Sequence, residues 1–488
     1  MAVWKPYGER EAALLRLDAR LAADDGDVEL RLARANLLAE LGRGEAAQAA
    51  YLDVLARQPD HLTALNNFGS LVHARGYTSA ARTLYAQAAR LHPRDPMSQV
   101  NLANCLATAG ERDAAQTAFM AALAAAPDFA PAHRGLALLA SLRGDDVATR
   151  RHLAAAFAAS PVIEQPYHGA GAPIRVLLLI SGLQGDIPLQ HILDPTEFQV
   201  TALAPRFLPA GAALPDHHVV VNAIGDVDLC AEALAAAATL VHRSDRPVIN
   251  DPARVLATSR EDNAARLGSI PGVVCAVTRR VPRAAAVALN DAALADLGLR
   301  LPIAVRAPGF HGGVHFTRID HLSELPAAIA NWPGDTLIAM NFLDLRGADG
   351  KVRKYRAMMI GGQIHPLHLA VSRDWKVHYF TAEMADRPDH RREDAAFLAD
   401  MGGVIGEPVL AALGRIQAAL GLDYAGVDFA LSATGEVVVF EANATMVVPH
   451  PPSEPIWDYR RPPVAAVMEA VRRLVRARAV STSPGTEV

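Results

Sequence analysis

The stretch LDYAGVDFALSATGEVVVFEANATM, residues 422–446, gathers three oxygen-donating side chains into what reads as one hairpin. On its second strand Val437, Val439, Glu441 and Asn443 share a face, while Val438, Phe440 and Ala442 share the other, because side chains alternate along a strand. If Thr434 and Gly435 form a two-residue turn, Asp428 stands directly opposite Glu441, with Cβ atoms about 4.5–5.5 Å apart. Like charges at that range destabilise the sheet unless something neutralises them. Two carboxylates and an amide oxygen make an all-oxygen set suited to Mg²⁺, which takes its remaining ligands from water and substrate phosphates. A longer turn shifts the register by one residue and puts Asp428 on the wrong face. The competing reading is an ordinary hairpin with solvated acids. The second strand is apolar on both faces, which favours partial burial, and buried carboxylates need partners.

A second chemical signal is the glycine loop RAPGFHGGVHF, residues 306–316. No GK[ST] follows it and the next element reads as a strand, so it is not a Walker-type loop. His365, His368 and His378 invite a metal reading, but strand positions three apart face opposite ways. Either these are solvated or core histidines, or His365, His368 and His378 line an acceptor pocket with Trp375 and Lys376. The proline-rich VVPHPPSEPIWDYRRPP leaves directly from Asn443, and this places His450 at the substrate border. No Ser/His/Asp or Cys/His triad stands out.

Asp428 followed by FEAN at 440–443 resembles the metal-binding signature of the ATP-grasp superfamily, over about residues 174–475. The resemblance implies that Asp428, Glu441 and Asn443 hold two Mg²⁺ ions bridging the phosphates of ATP. It implies that Gly309, His311, Gly312 and Gly313 close over those phosphates, the glycines permitting a close backbone approach. By the same resemblance TLIAMNFL, residues 336–343, is the adenine-binding strand, with backbone groups of Met340 and Phe342 reading the base and Asp344 reaching the ribose. Arg356 corresponds to the arginine that steadies the transferred phosphate. The chain departs from the family at two positions. Arg306 stands where a lysine is common, and Arg260 replaces an earlier lysine; each brings a guanidinium fork instead of a point charge. The implied activity is that of an ADP-forming ligase making a C–N bond through an acyl phosphate, with Arg306 and Arg356 as its catalytic cations. Two alternatives stand beside it: a partner-binding scaffold with a degenerate nucleotide site, and a kinase-like enzyme that stops at a phosphorylated product.

The elements that must position these residues follow a helical array. Pro59, Pro93, Pro127 and Pro161 recur every 34 residues, as do Gly42, Gly76, Gly110 and Gly144. In the same frame fall Ala47, Ala81 and Ala115; Tyr51, Tyr85 and Phe119; and Ala35, Gly69, Ala103 and Ala137. Each unit reads as two helices around a glycine turn, closed by a proline that forbids continuation. The pattern resembles four tetratricopeptide (TPR) repeats over residues 28–163, with a departure at Thr149 and Leu153, behind a capping helix within residues 1–27. It implies either a concave surface for a peptide or protein partner or a packing face for a homodimer.

The fold expected is thus multidomain: an all-α solenoid, a linker at 164–173, a small doubly wound α/β domain at 174–255, an α+β two-lobed domain at 256–475, and a disordered tail at 476–488. The α/β expectation rests on IRVLLLI, HHVVVNAI and RPVIND as strands separated by a helical run.

Composition narrows the classes further. Hydrophobic residues are 51% and charged residues 20% of 488, which fits a folded globular chain. Up to Pro161 there are 17 basic and 17 acidic residues, leaving 30 of the 47 basic and 35 of the 52 acidic for the rest. Neither part is a basic body, so no nucleic-acid partner is expected. Cys105, Cys230 and Cys275 are far apart and odd in number, against a disulfide framework. The N-terminus lacks the apolar core of a signal peptide and no apolar run spans a bilayer, so the expectation is a cytoplasmic protein without a membrane partner.

Overall fold

A computed structural model of the 488-residue chain describes residues 7–310, 312–379, 382–452 and 454–480. These fall into two compact units, the first formed mainly by residues up to Pro161 and the second by most of the remainder.

The described part of the first unit is helical: α1 (Tyr7–Ala23), α2 (Val28–Glu40), α3 (Gly44–Arg57), α4 (Leu62–Ala74), α5 (Thr78–Leu91), α6 (Pro96–Thr108), α7 (Arg112–Ala125), α8 (Ala130–Leu142) and α9 (Asp146–Phe157). From α2 onward the helices pair across Gly42, Gly76, Gly110 and Gly144. All four have φ between 72° and 85°, the left-handed region in which a glycine ends a helix without strain. The small residues of the 34-residue frame lie where paired helices touch: Ala35, Ala47, Ala81, Ala103, Ala115 and Ala137 are fully buried. Tyr51, Tyr85 and Phe119 are buried as well, and a Cβ added at Gly69 would stand 2.5 Å from the Tyr85 ring. Thr149 and Leu153 are buried, so the atypical last unit still packs inward.

The second unit opens with a five-stranded sheet ordered β1-β3-β2-β4-β5, from β1 (Val162–Glu164), β2 (Ile174–Leu179), β3 (Phe198–Leu203), β4 (Val219–Asn222) and β5 (Val248–Ile249). Strands β2 to β5 pair in parallel, and α10 (Val227–Val241) joins β4 to β5. Strand β1 is a correction to the sequence reading. Val162 and Ile163 lie at the end of the expected array and Glu164 in the expected linker, yet all three pair antiparallel with β3 and extend its edge.

After α11 (Pro252–Leu256) and α12 (Arg260–Leu267) come β6 (Val273–Cys275) and β7 (Thr278–Pro282), then α13 (Arg283–Val287) and α14 (Asp291–Asp296). They are followed by β8 (Ile303–Arg306), β9 (Phe316–Ile319), α15 (Leu325–Ile329) and β10 (Thr336–Asn341). Strands β7, β10, β8 and β9, in that order, form an antiparallel sheet. Their apolar faces close over Ile303, Val305, Leu325, Ile329 and Leu337.

Next, β11 (Val352–Ile360) and β12 (Gln363–Ser372) form a hairpin through Gly361 and Gly362, both at positive φ as a two-residue turn demands. Helices α16 (Pro388–Ala399), α17 (Met401–Ile405) and α18 (Glu407–Leu420) lead to β13 (Tyr424–Leu431) and β14 (Val437–Asn443), and α19 (Arg461–Val480) ends the described chain. The third sheet runs β12-β11-β13-β14-β6, with only the β14–β6 pair parallel. Residues 476–480, expected in a disordered tail, are helical instead. Val475 and Ala479 are buried and carry the apolar face of α19 on to Val480, while residues 481–488 lie outside the described residues.

Replacing Phe119 by alanine removes a fully buried ring between helices and is expected to cost about 3–5 kcal/mol. The check is the midpoint of helix loss in urea, followed by far-UV circular dichroism.

Candidate functional site

The hairpin of β13 and β14 is built differently from the two-residue turn first expected, yet it delivers the same pair. Leu431 pairs with Val437, and Ser432 N–H donates to the Glu436 carbonyl at 2.9 Å, so three residues form the loop, with Gly435 at φ 82°. That turn by itself sets Asp428 against Phe440. A β-bulge corrects it: Phe429 pairs with Val439 and Asp428 with Glu441, leaving Phe440 unpaired and exposed.

A second bulge, at Leu367 in β12, does the same on the other side. Arg356 pairs with His368 on β12 and with Asp428 on β13. Directly opposed residues in a sheet point to one face, so His368, Arg356, Asp428 and Glu441 form a row across four strands. Pro366 sits beside this bulge on the edge strand, where its missing N–H costs no ladder bond.

Asp428 is fully buried, and Arg356 grips it with both arms, Nε to Oδ1 at 2.6 Å and Nη2 to Oδ2 at 2.8 Å. Lys354, two residues earlier on the same face of β11, brings Nζ within 2.6 Å of Oδ2. Burial alone would raise the Asp428 carboxyl, but Arg356 and Lys354 hold it well below the usual carboxylate range. Glu441 pairs with Arg260 and accepts from Asn443 Nδ2 at 2.8 Å. Asn443 Oδ1 in turn accepts from the Thr445 N–H at 3.0 Å and its hydroxyl at 2.7 Å. The repulsion expected between the two carboxylates is therefore relieved by an arginine and a lysine on one and an arginine on the other. Among the described residues no group of three or more His, Cys, Asp or Glu side chains is placed to hold a metal ion. Glu441 and Asn443, i and i+2 on one strand beside Asp428, remain an all-oxygen set of the kind a hard divalent cation accepts.

The row faces a cavity of about 610 Å³, within the range of small-molecule sites. Five cationic side chains line it, Arg260, Arg306, Lys354, Arg356 and Lys376, against three carboxylates, Asp186, Asp428 and Glu441. The excess of positive charge suits a polyanion. Arg306 carries this furthest: burial and the neighbouring Arg260 push its guanidinium down to about 10, and its buried Nε has no hydrogen-bond partner among the described residues. An unsatisfied buried donor of that charge is costly unless an anion meets it.

The loop between β8 and β9 is closed by Ala307 N–H donating to the His315 carbonyl at 3.0 Å, and Arg306 Nη2 donates to the Phe310 carbonyl. Gly313, at φ 79°, passes so close to Lys376 that an added Cβ would lie 2.5 Å from Cε. Trp375 packs edge-on against Phe316 at 5.4 Å and Phe342 at 5.3 Å, and the three rings make an aromatic wall.

Of the residues singled out by sequence, the cavity brings together Arg260, Arg306, Gly309, Gly312, Gly313, Met340, Phe342, Arg356, Trp375, Lys376, Asp428, Glu441 and Asn443. Three lie off it. Asp344 is exposed and held by Arg346, with Nε at 2.9 Å from Oδ1. His368, at the edge-strand end of the row, is buried outside the cavity lining, and burial and then Arg356 keep it neutral. His450 is exposed. His311 lies outside the described residues. Sequence reasoning passed over Lys354, which the i,i+2 spacing with Arg356 in KVRKYR would have found, and Asp186, for which no local pattern speaks.

No family model matches the chain, and no curated protein matches it. Solved structures similar to part of it include MamA from Desulfovibrio magneticus RS-1, 19% identical over 30% of this chain and 84% of that one, with a TM-score of 0.28. YrrB, described as a TPR protein with an unusual peptide-binding site, is 19% identical over 30% of this chain and 77% of its own, at a TM-score of 0.27. PilW, described as a widely conserved type IV pilus biogenesis factor, is 22% identical over 30% of this chain and 69% of its own, at 0.28. At these TM-scores the repeat assignment rests on the 34-residue spacing and the helix pairs instead. Among the described residues no helix is long and apolar enough to cross a membrane.

Asp428→Asn leaves Arg356 and Lys354 buried without their counter-ion and is expected to destabilise the fold by about 3–5 kcal/mol. Because the folded carboxyl is held low, the Asp428 contribution is fully present above the unfolded pKa of about 3.9 and fades as pH falls through the lower folded value. Urea titrations of both proteins should give a constant gap between pH 8 and pH 5, narrowing only below about pH 4.

Proposed function

We propose that the cavity binds a magnesium nucleotide and that the chain is an ADP-forming ligase, joining a carboxylate to an amine through an acyl phosphate. The observation that carries this reading is one wall holding Glu441 and Asn443 beside a surplus of buried or half-buried cations, among them Arg306 with an unmet donor. The ATP-grasp resemblance of Asp428 and FEAN, and the glycine loop facing that wall, support the same conclusion.

In this reading a carboxylate oxygen of the substrate attacks the γ-phosphorus of ATP, the bond to the bridging oxygen breaks, and ADP leaves. An amine then attacks the acyl phosphate, the C–N bond forms, and phosphate departs with the C–O electron pair. No protein nucleophile takes part. Arg306 and Arg260 meet phosphate oxygens, and Arg356, fixed by Asp428, offers a preorganised positive charge where charge shifts during transfer. The aromatic wall of Phe316, Trp375 and Phe342 flanks Met340 and Asn341, giving a base an apolar face to stack on. Magnesium, held by Glu441 and Asn443 with Asp428 beside them, would supply charge neutralisation across the phosphates.

The repeat array, in this proposal, carries a peptide or protein partner. A second reading makes that binding the whole function, with a degenerate nucleotide site. It is favoured by the pairing of Asp428 with Arg356 and Lys354 and of Glu441 with Arg260, which satisfies both carboxylates without a metal. A kinase-like enzyme would differ from the ligase by leaving phosphate on the acceptor.

The protein incubated with ATP, Mg²⁺ and a lysate fraction should release ADP and phosphate, and hydroxylamine should trap the activated carboxylate as a hydroxamate. Glu441→Ala with Asn443→Ala should abolish that release; turnover that survives the double change would argue for the scaffold. Arg306→Ala should weaken nucleotide binding about 10- to 150-fold by calorimetry, the loss of one charge-assisted hydrogen bond.

A further inference from the structure

Of the three carboxylates lining the cavity, Asp428 is matched by Arg356 and Lys354, and Glu441 by Arg260. Asp186 is the exception: among the described residues no cation pairs with it. Its oxygens are met only by neutral donors, Ser181 N–H to Oδ1 at 2.8 Å, the Ser181 hydroxyl to Oδ2 at 3.0 Å, and a hydrogen bond from the Gly182 backbone.

The loop that carries Asp186 is held tightly in place. Gly185 accepts at its carbonyl from Gly225 N–H at 2.9 Å and Asp226 N–H at 3.1 Å, and Ile187 N–H donates to the Ala223 carbonyl at 2.7 Å. Cys230 Sγ donates to the Gln184 carbonyl at 2.9 Å, and Gly185, at φ 88°, is pressed so close to Cys230 that an added Cβ would stand 2.7 Å from its sulfur. The same corner touches the metal-facing end of β14. A Cβ on Gly225 would lie 3.0 Å from the Ala444 carbonyl and from the Thr445 methyl, and Thr445 hydrogen-bonds Asn443. Asp186 therefore stands at the end of the cavity where Glu441 and Asn443 stand, opposite in charge to the arginines there and not consumed by them.

Burial pushes its carboxyl up to about 6, against the pull of the Ser181 and Gly182 hydrogen bonds, so it is charged at neutral pH. A half-buried anion without a counter-ion is unfavourable, and a cation arriving with the substrate relieves it.

We propose that Asp186 is the docking point for the ammonium head of a primary-amine substrate, which passes one proton to the Asp186 carboxylate before the freed nitrogen lone pair attacks the acyl phosphate. The inference deepens the ligase reading and rests on it. An amine held there lies in the corner where the loop of Asp186 meets the start of α10, against which Gly309 of the glycine loop also packs through Leu229.

The test uses the full chain and two probes, propylammonium chloride and its neutral near-isostere propionamide, at matched ionic strength with saturating Mg²⁺ and a non-hydrolysable ATP analogue. Apparent affinities are read from thermal midpoints. Wild type should prefer propylammonium at least tenfold over propionamide, and Asp186→Asn should erase the preference while binding the nucleotide within twofold of wild type. Equal affinity for the two probes in wild type, or a preference that survives in Asp186→Asn, overturns the proposal. The wild-type comparison stands even if the variant does not fold. Loss of nucleotide binding in wild type would count against the ligase reading instead, and the preference of the nucleotide-free protein between the two probes would still decide whether Asp186 takes a cation.

Discussion

A carboxylate with no exposed surface in the middle of a β-sheet has to be compensated, and Asp428 imposes that requirement on everything around it. Arg356 answers from the neighbouring strand with two parallel hydrogen bonds, and Lys354 answers from two residues earlier on the same face. The two cations are thereby fixed in place at a cavity wall, with little side-chain freedom left to lose when a ligand arrives. The same demand explains the bulges. Without the one at Phe440, Glu441 would fall out of the row, and without the one at Leu367, Leu367 and not His368 would stand opposite Arg356.

This geometry separates two jobs that one set of charges might otherwise confuse. Arg356, Lys354 and Arg260 are engaged by carboxylates and shape the wall. Arg306 donates to the Phe310 carbonyl on its own loop and keeps an unmet Nε, and Lys376 reaches the Phe316 carbonyl at 3.0 Å; both stand at the glycine loop. A polyanion entering the cavity would meet cations already paired with carboxylates and, beside them, Arg306 and Lys376, which donate to loop carbonyls. Arg306 offers a fork and not a point charge, and the fork is anchored by one arm before a ligand binds.

Much of the fold could be read from residues alone because its signals are periodic. The 34-residue spacing of Gly42, Gly76, Gly110 and Gly144 marks the helix turns, and strand runs such as IRVLLLI and TLIAMNFL are bounded by polar or glycine-rich segments. The opposition of Asp428 and Glu441 was legible in outcome but not in cause: the alternation pointed to the pair, whereas the three-residue loop and the compensating bulge at Phe440 leave no periodic mark. Short edge pairing escaped as well, since Val162–Glu164 is too brief to show alternation and looks like the end of a helical unit followed by linker. Asp186 escaped for a different reason. Its role comes from a corner where two chain segments about 40 residues apart meet the end of β14, and no local pattern encodes that meeting. The bulge at Leu367 sets His368 opposite Arg356, where it is buried against the Tyr379 ring, and strand alternation alone does not show that packing.

The wall made by Glu441, Asn443 and the paired cations is proposed to receive a magnesium triphosphate. A crystal structure of the full chain with Mg²⁺ and a non-hydrolysable ATP analogue tests it most directly. Phosphate density is expected between Arg306 and β14, with the metal bound to oxygens of Glu441 and Asn443. Nucleotide bound elsewhere, or an empty cavity with Glu441 still paired to Arg260 at saturating ligand, would contradict it.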